Sequence, residues 1–237
     1  MRVTLLLCVL VAVLLLGSAA YSNDNAGKPA SVSQVLMIVG GPFHHQPAIY
    51  PILQKKLEDT GQFKLNITED LKQLEPENIK NYDLVLIYCT NLTLSKEQEK
   101  GLLGFVENGK GLAGIHCVTD TFKNSEAYWK LVGGKFRTHG NELFQVNITA
   151  KSNPIAAGMT GFQIKDETYC DDFHPESKVI VFMRREKDSE PVSWIQDYGK
   201  GRVFVTSLGH GKPAWENPAF QQLVLQGCEW ATYRRNP

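Results

Sequence analysis

Apolar and polar positions along this chain follow two different periods. Residues 35–39 are a β-branched and aliphatic run closed by Gly40-Gly41, residues 63–68 alternate apolar with polar, and residues 84–88 and 111–115 are continuously apolar. Such runs predict strands, and the continuous ones predict strands buried on both faces. Between them lie segments of helical period. One covers residues 49–57 and ends near Gly61; another starts at Ser95, with Gln98 completing a capping box, and ends at Asn108-Gly109; a third covers 126–131. After Gly133-Gly134 the pattern changes. Residues 143–149, 162–164, 179–183, 191–195 and 202–206 predict strands, and a last helix over 218–230 repeats Phe220, Leu223, Val224, Gly227 and Trp230 at core spacing.

Strand and helix patterns in alternation argue for an α/β fold with a mostly parallel, helix-covered sheet, carrying a β-rich insertion before the last core strand. The first twenty residues stand apart from it. Arg2 precedes a short apolar run over 5–16 and the small residues Gly17-Ser18-Ala19-Ala20, the pattern of a secretory signal peptide too short to span a bilayer. The expected organisation is therefore a signal peptide at 1–20, a flexible lead-in at 21–33 and a single domain at 34–233. Cleavage after Ala20 leaves 237 − 20 = 217 residues, enough for one sizeable core. The mature protein is expected to be secreted and to lack a membrane span.

Charge narrows the list of partners. The chain has 25 basic and 25 acidic residues and no long basic run, so nucleic acid is an unexpected partner. Nothing in the pattern suggests a nucleotide cofactor, and self-association stays open. Cys89, Cys117, Cys170 and Cys228 follow the signal segment, an even number in a chain expected to be exported. Cys89 and Cys117 each end an apolar strand, a spacing compatible with a disulfide; four free buried thiols is the alternative. Asn66, Asn91 and Asn147 head glycosylation sequons, two of them inside expected strands.

The candidate chemistry is histidine. In a parallel sheet, ligands bind outside the carboxyl ends of the strands. Gly111 to Ile115 runs straight into His116 at that position, where hydrolases of this architecture place a nucleophilic Ser or Cys. His44 and His45 follow the first strand, His210 follows the strand at 202–206, and His139 precedes the alternating strand. His116, His210 and His45 are expected to share a pocket, as ligands of a metal such as zinc or as general acids and bases. Glu167 could add a carboxylate, Asp120 could orient His116 or cap the next helix, and Trp194 or Trp215 could offer a face for a sugar ring. Phe173-His174-Pro175-Glu176 matches the His-Glu part of a glutamine amidotransferase triad but sits between an acidic turn and a strand, so the match reads as accidental. With His116 at the elbow and Cys117 turned to the other side, glutaminase chemistry is not expected.

Several segments carry a resemblance when taken in order. They are Gly114-Ile115-His116 with Thr119-Asp120-Thr121-Phe122; Phe136 with His139; Asp166-Glu167 with Tyr169; Pro191-Val192-Ser193-Trp194; the run from Tyr198 to His210; and Trp230-Ala231. The chain resembles the ThuA-like (trehalose utilisation) family, a branch of the class I glutamine amidotransferase-like fold. The resemblance implies a flavodoxin-like sheet, a pocket at its carboxyl edge and an association with sugar metabolism. It places the family's histidines on His45, His116, His139 and His210 and its acidic pair on Asp166-Glu167. Asn153-Pro154 and His139-Gly140 stand where many members have His-Pro.

The expectation is an enzyme acting on a carbohydrate. His116, His210, Glu167 and Asp120 would form the catalytic group, and His45, His139, Tyr169 and Trp194 the substrate-binding group. A catalytically silent carbohydrate-binding protein is the alternative.

Overall fold

The computed structural model of the protein describes residues 31–234. The expected signal peptide and nearly all of the lead-in lie outside the described residues. Seventeen elements follow in order, 11 strands and 6 helices: β1 (Ser33–Gly40), α1 (Tyr50–Glu58), β2 (Phe63–Thr68), α2 (Pro76–Ile79), β3 (Leu84–Cys89), α3 (Lys96–Glu107), β4 (Gly111–Ile115), α4 (Glu126–Val132), β5 (Gly134–Thr138), β6 (Asn141–Ile148), β7 (Phe162–Glu167), β8 (Cys170–Phe173), β9 (Ile180–Arg185), β10 (Pro191–Tyr198), β11 (Gly201–Thr206), α5 (Lys212–Trp215) and α6 (Pro218–Ala231). Short 3₁₀ turns intervene, one of them at His116–Asp120. Among the described residues no helix is long and apolar enough to cross a membrane.

Nine strands make one sheet in the order β2-β1-β3-β4-β11-β10-β9-β6-β7. β2, β1, β3, β4 and β11 are mutually parallel, and the β11–β10, β10–β9, β9–β6 and β6–β7 pairings are antiparallel. Four antiparallel steps restore direction, so β7 ends at the same edge as β11. The expected insertion is the segment from β5 to β10. Sequence pattern missed β5 and β8, which pair with each other as a separate two-stranded sheet. They are short, and the carboxylates of Asp171 and Asp172 break any apolar alternation.

Alternation along β1 divides the core in two. Val35, Met37 and Val39 pack with α1 and α6 on one face; Leu36 and Ile38 pack with α3 and α4 on the other. Every residue of β3 and β4 is buried, which is why those runs are continuously apolar. The capping box of α3 is present, with the Gln98 N–H donating to Ser95 Oγ at 3.2 Å and the Ser95 N–H donating to Gln98 Oε1 at 2.9 Å. Losing such a cap costs about 1 kcal/mol.

The bridge that the spacing of Cys89 and Cys117 allowed is not formed; all four described cysteines are free, the other outcome the sequence left open. Register explains this. Ile87 pairs with Gly114, so Cys89 runs level with His116, and the Cys89 thiol donates instead to Thr121 Oγ1 at 3.6 Å.

Candidate functional site

Four strand ends converge at the carboxyl edge. The loop after β1 delivers His44, the tip of β4 delivers His116, the last residue of β7 is Glu167, and the loop after β11 delivers His210. One donor atom from each of these four side chains lies within 4.8 Å of the others, a group that could hold a metal ion. His44 Nε2 is 3.1 Å from His210 Nδ1, and Glu167 Oε2 is 3.2 Å from both His210 Nδ1 and His116 Nε2.

The backbone is bent to achieve this. His116 has a φ of 49°, a left-handed conformation that costs an ordinary residue on the order of 1–3 kcal/mol and clusters at functional sites. Gly41 has a φ of +92°, and a Cβ there would lie 1.9 Å from the carbonyl oxygen of Thr90. Only glycine lets the loop carrying His44 pass over the end of β3. Gly209, at φ +115°, plays the same part before His210, where a Cβ would lie 2.7 Å from Ile115 Cγ2.

Contacts behind the cluster fix the imidazoles. His116 Nδ1 lies 2.8 Å from the carbonyl oxygen of Ser207, to which it can only donate, so Nε2 is the nitrogen left with a lone pair. That Nε2 is buried and has no hydrogen-bond partner, because its approach to Glu167 is off the line of a hydrogen bond. A wholly buried nitrogen aimed at three other donors is the arrangement a metal ligand requires, and the carbonyl on its far side is a usual support for one. His44 Nδ1 lies 3.2 Å from Thr90 Oγ1, leaving its Nε2 toward His210. Tyr169 backs the site, its ring 4.0 Å from that of His116 and 4.5 Å from that of Phe136.

Electrostatics favour ligation at His44 and Glu167. Burial, reinforced by His116 and His210, lowers the His44 pKa to about 3, so this imidazole is neutral at physiological pH, as a ligand must be. Burial opposes the charge on Glu167, but the close imidazoles of His116 and His210 outweigh it and hold the carboxyl well below its usual range. His210 is raised, first by its hydrogen bond to Glu167.

Several expectations need correction. His45, expected in the cluster, points away from it: it is 41% exposed and lies 3.5 Å from Glu69 Oε1, and His44 occupies the place assigned to it. Trp194 offers no face to a ligand; it is fully buried, donates to the Val132 carbonyl oxygen at 2.9 Å and packs on Phe173. Trp215 is equally buried and donates to the Gly209 carbonyl oxygen at 2.8 Å. Asp120 neither orients His116 nor caps α4. It pairs with Lys123 at 2.5 Å, and Ser125 is the cap. Tyr169 is 2% exposed, behind His116 rather than open to a substrate. His139 does join the edge of the site, 44% exposed with Nδ1 3.5 Å from Glu167 Oε1.

Sequence reasoning passed over His44, Thr90 and the positioning role of Asp166. Two adjacent histidines after a glycine-rich turn give no periodicity to choose between them. Asp166 Oδ2 accepts the N–H of Gly209 at 2.6 Å and its Oδ1 that of His210 at 2.9 Å, a contact across 44 residues that no local pattern announces. Cys117 is fully buried and burial pushes its thiol well up, so it is no nucleophile. His174, in the amidotransferase-like tetrapeptide, packs on Trp129 and stands outside the cluster.

Residues 34–231 match the sequence profile of the ThuA family, described as trehalose utilisation. The chain belongs to the ThuA family. A solved ThuA-like protein of Parabacteroides merdae is 21% identical and superposes with a TM-score of 0.76 over 85% of this chain and 90% of its own. A ThuA-like protein of Bacteroides uniformis is 19% identical, with a TM-score of 0.70 over 87% and 94%. A β-galactosidase of Bacillus circulans is similar over 84% of this chain but only 31% of its own, at 13% identity and a TM-score of 0.55. At these identities the likeness establishes a fold: the ThuA chain is α/β, a mixed sheet covered by helices. No curated protein sequence matches it.

Proposed function

We propose that this ThuA-family chain is an exported, metal-dependent enzyme acting on a neutral sugar or glycoside. The observation that carries the reading is the His44, His116, Glu167 and His210 group, with the buried, partnerless Nε2 of His116 aimed into it. Three imidazoles and one carboxylate are a donor set suited to zinc. A closed tetrahedral zinc shell, with bonds of about 2.0–2.1 Å, would hold its ligands roughly 3.3 Å apart. Three of the donor separations, 3.1, 3.2 and 3.2 Å, are close to that spacing.

A divalent metal, when bound, supplies Lewis acidity toward an oxygen of the substrate. The chain's own residues do the rest. Ser207 and Thr90 hold His116 and His44 in fixed orientation, and Asp166 sets the backbone of His210. His139 is the half-exposed imidazole beside the cluster, placed to carry a proton between Glu167 and solvent or substrate. Among the described residues Glu167 pairs only with histidines and with no lysine or arginine, which favours an uncharged substrate over a phosphorylated one. The sugar class rests on the family description. Export rests on residues 1–20.

The test is turnover of a panel of neutral disaccharides and aryl glycosides by the full chain, before and after chelation. The reading requires turnover that chelation abolishes and zinc restores. Turnover indifferent to the chelator would refute the metal's part, and absence of turnover with intact sugar affinity would make the protein a carbohydrate-binding one.

A further inference from the structure

Among the described residues six buried side-chain atoms lack a hydrogen-bond partner, and four of them belong to three residues: Thr119 Oγ1, Asp120 Oδ1 and both carboxylate oxygens of Asp171. Thr119 and Asp171 are 3% and 7% exposed. Thr119 and Asp120 close the turn that begins at His116, and Asp171 sits in β8 with its carboxyl facing Thr119 and the Asp120 charge.

A buried carboxylate is ordinarily paired with a cation or bound to a metal. The charges that act most strongly on Asp171 are instead those of Glu190, Asp172 and Asp120, all negative. The basic groups beside them are engaged elsewhere: Arg137 lies 3.3 Å from Asp172 Oδ1, and Lys123 Nζ approaches Asp120 Oδ1 at 2.5 Å, off the line of a hydrogen bond. All four atoms are oxygens that can accept, the donor type that hard cations take. They are closed off from solvent, so an ion among them gives up most of its water. Magnesium dehydrates reluctantly and demands octahedral geometry, whereas calcium accepts irregular sets of about six to eight oxygens. A cavity of about 410 Å³ lined by Thr119 and Lys123 offers a route in, and the half-exposed Lys123 side chain stands at its rim.

We propose that Thr119, Asp120 and Asp171 form a second cation site, separate from the His44, His116, Glu167 and His210 group and selective for calcium. The ion ties β8 to the turn that carries His116. That stretch is strained at both ends, with two non-glycine residues in the left-handed region, His116 at φ 49° and Phe122 at φ 50°. The site stands independently of the sugar and zinc readings.

The test is calorimetric titration of calcium into the full chain, zinc-loaded and zinc-free, with magnesium as the comparison and thermal unfolding of the same samples. One calcium per chain is expected in both states, bound roughly tenfold or more tightly than magnesium and raising Tm. Asp171→Asn keeps the shape and removes the charge; it is expected to weaken calcium binding by roughly tenfold or more and to abolish the rise in Tm, with zinc content unchanged. Lys123→Ala removes the competing cation and is expected to tighten calcium binding by about threefold, a gain that a carboxylate with a purely structural role would not give. Absence of calcium binding by the native chain, calcium that zinc displaces, or an Asp171→Asn variant that is folded by circular dichroism and binds calcium as tightly as the native chain overturns the site. Magnesium bound as tightly as calcium overturns the selectivity, and Lys123→Ala without a gain removes Asp120 from the ligand set.

Discussion

Asp166 and His210 are joined across the sheet edge: Asp166 Oδ1 accepts the N–H of His210 at 2.9 Å, its Oδ2 takes that of Gly209 at 2.6 Å, and Oδ1 also takes the N–H of Glu167 at 2.9 Å. One carboxylate, 3% exposed, thus fixes the backbone of two members of the donor group that come from β7 and from the loop after β11. Outer supports of this kind typically change metal affinity about 10–100-fold when removed. Asp166→Ala is expected to weaken zinc binding by that factor and to lower stability by about 2–3 kcal/mol, since buried N–H groups lose their acceptor. Asp166→Asn, which keeps one acceptor oxygen, should fall between. Zinc titration and urea unfolding of the same samples measure both effects.

His44 and His45 separate cleanly by position. His44→Ala removes a buried donor and is expected to weaken zinc affinity a hundredfold or more; His45→Ala, on the exposed side against Glu69, should leave it within about twofold. Competition titration against a chromophoric chelator distinguishes them. The reverse order would mean that the loop after β1 is turned over in the working protein.

Gly209 tests the backbone argument. Gly209→Ala places a Cβ 2.7 Å from Ile115 Cγ2 at a positive φ, so a loss of about 2–4 kcal/mol and displacement of His210 are expected. Gly104→Ala, with open space around the new Cβ in the middle of α3, serves as the control and should be neutral or slightly stabilising. Thermal unfolding compares the two.

Asp171 gives a pH dependence separate from the donor group. It lies in β8, its two oxygens lack a hydrogen-bond partner, and burial raises its pKa from the ordinary aspartate range to about 7. The folded protein therefore binds a proton more tightly here than the unfolded chain does. The contribution is favourable below about pH 4, is lost progressively as pH rises toward 7, and is absent above it. Asp171→Asn is expected to remove that decline and to gain on the order of 3 kcal/mol relative to the native chain at pH 8, with little difference at pH 4. Unfolding of metal-stripped protein across that range measures it; identical profiles would place the Asp171 charge in a solvated setting.

The sheet and the position of the site were legible because both leave local marks. The runs at residues 84–88 and 111–115 are apolar throughout since both faces of those strands are covered, and Gly114-Ile115-His116 marks the point where a strand must turn. The ligand set was only partly legible. Adjacent residues in a turn, such as His44 and His45, differ only in tertiary surroundings, and sequence spacing cannot tell which faces inward. Trp194 shows the converse: its indole satisfies its N–H inside the core on Val132, so an aromatic beside a polar strand was no ring platform. The role of Asp166 depends on a partner 44 residues away, beyond any local period.

The central claim is that His44, His116, Glu167 and His210 hold one metal ion. Elemental analysis of the full chain after zinc loading and dialysis tests it most directly, beside a His116→Ala/His210→Ala double variant shown by circular dichroism to be folded. The account predicts close to one zinc per native chain and none in the variant. A native protein that retains no metal, or a folded variant that retains it equally, would contradict the claim.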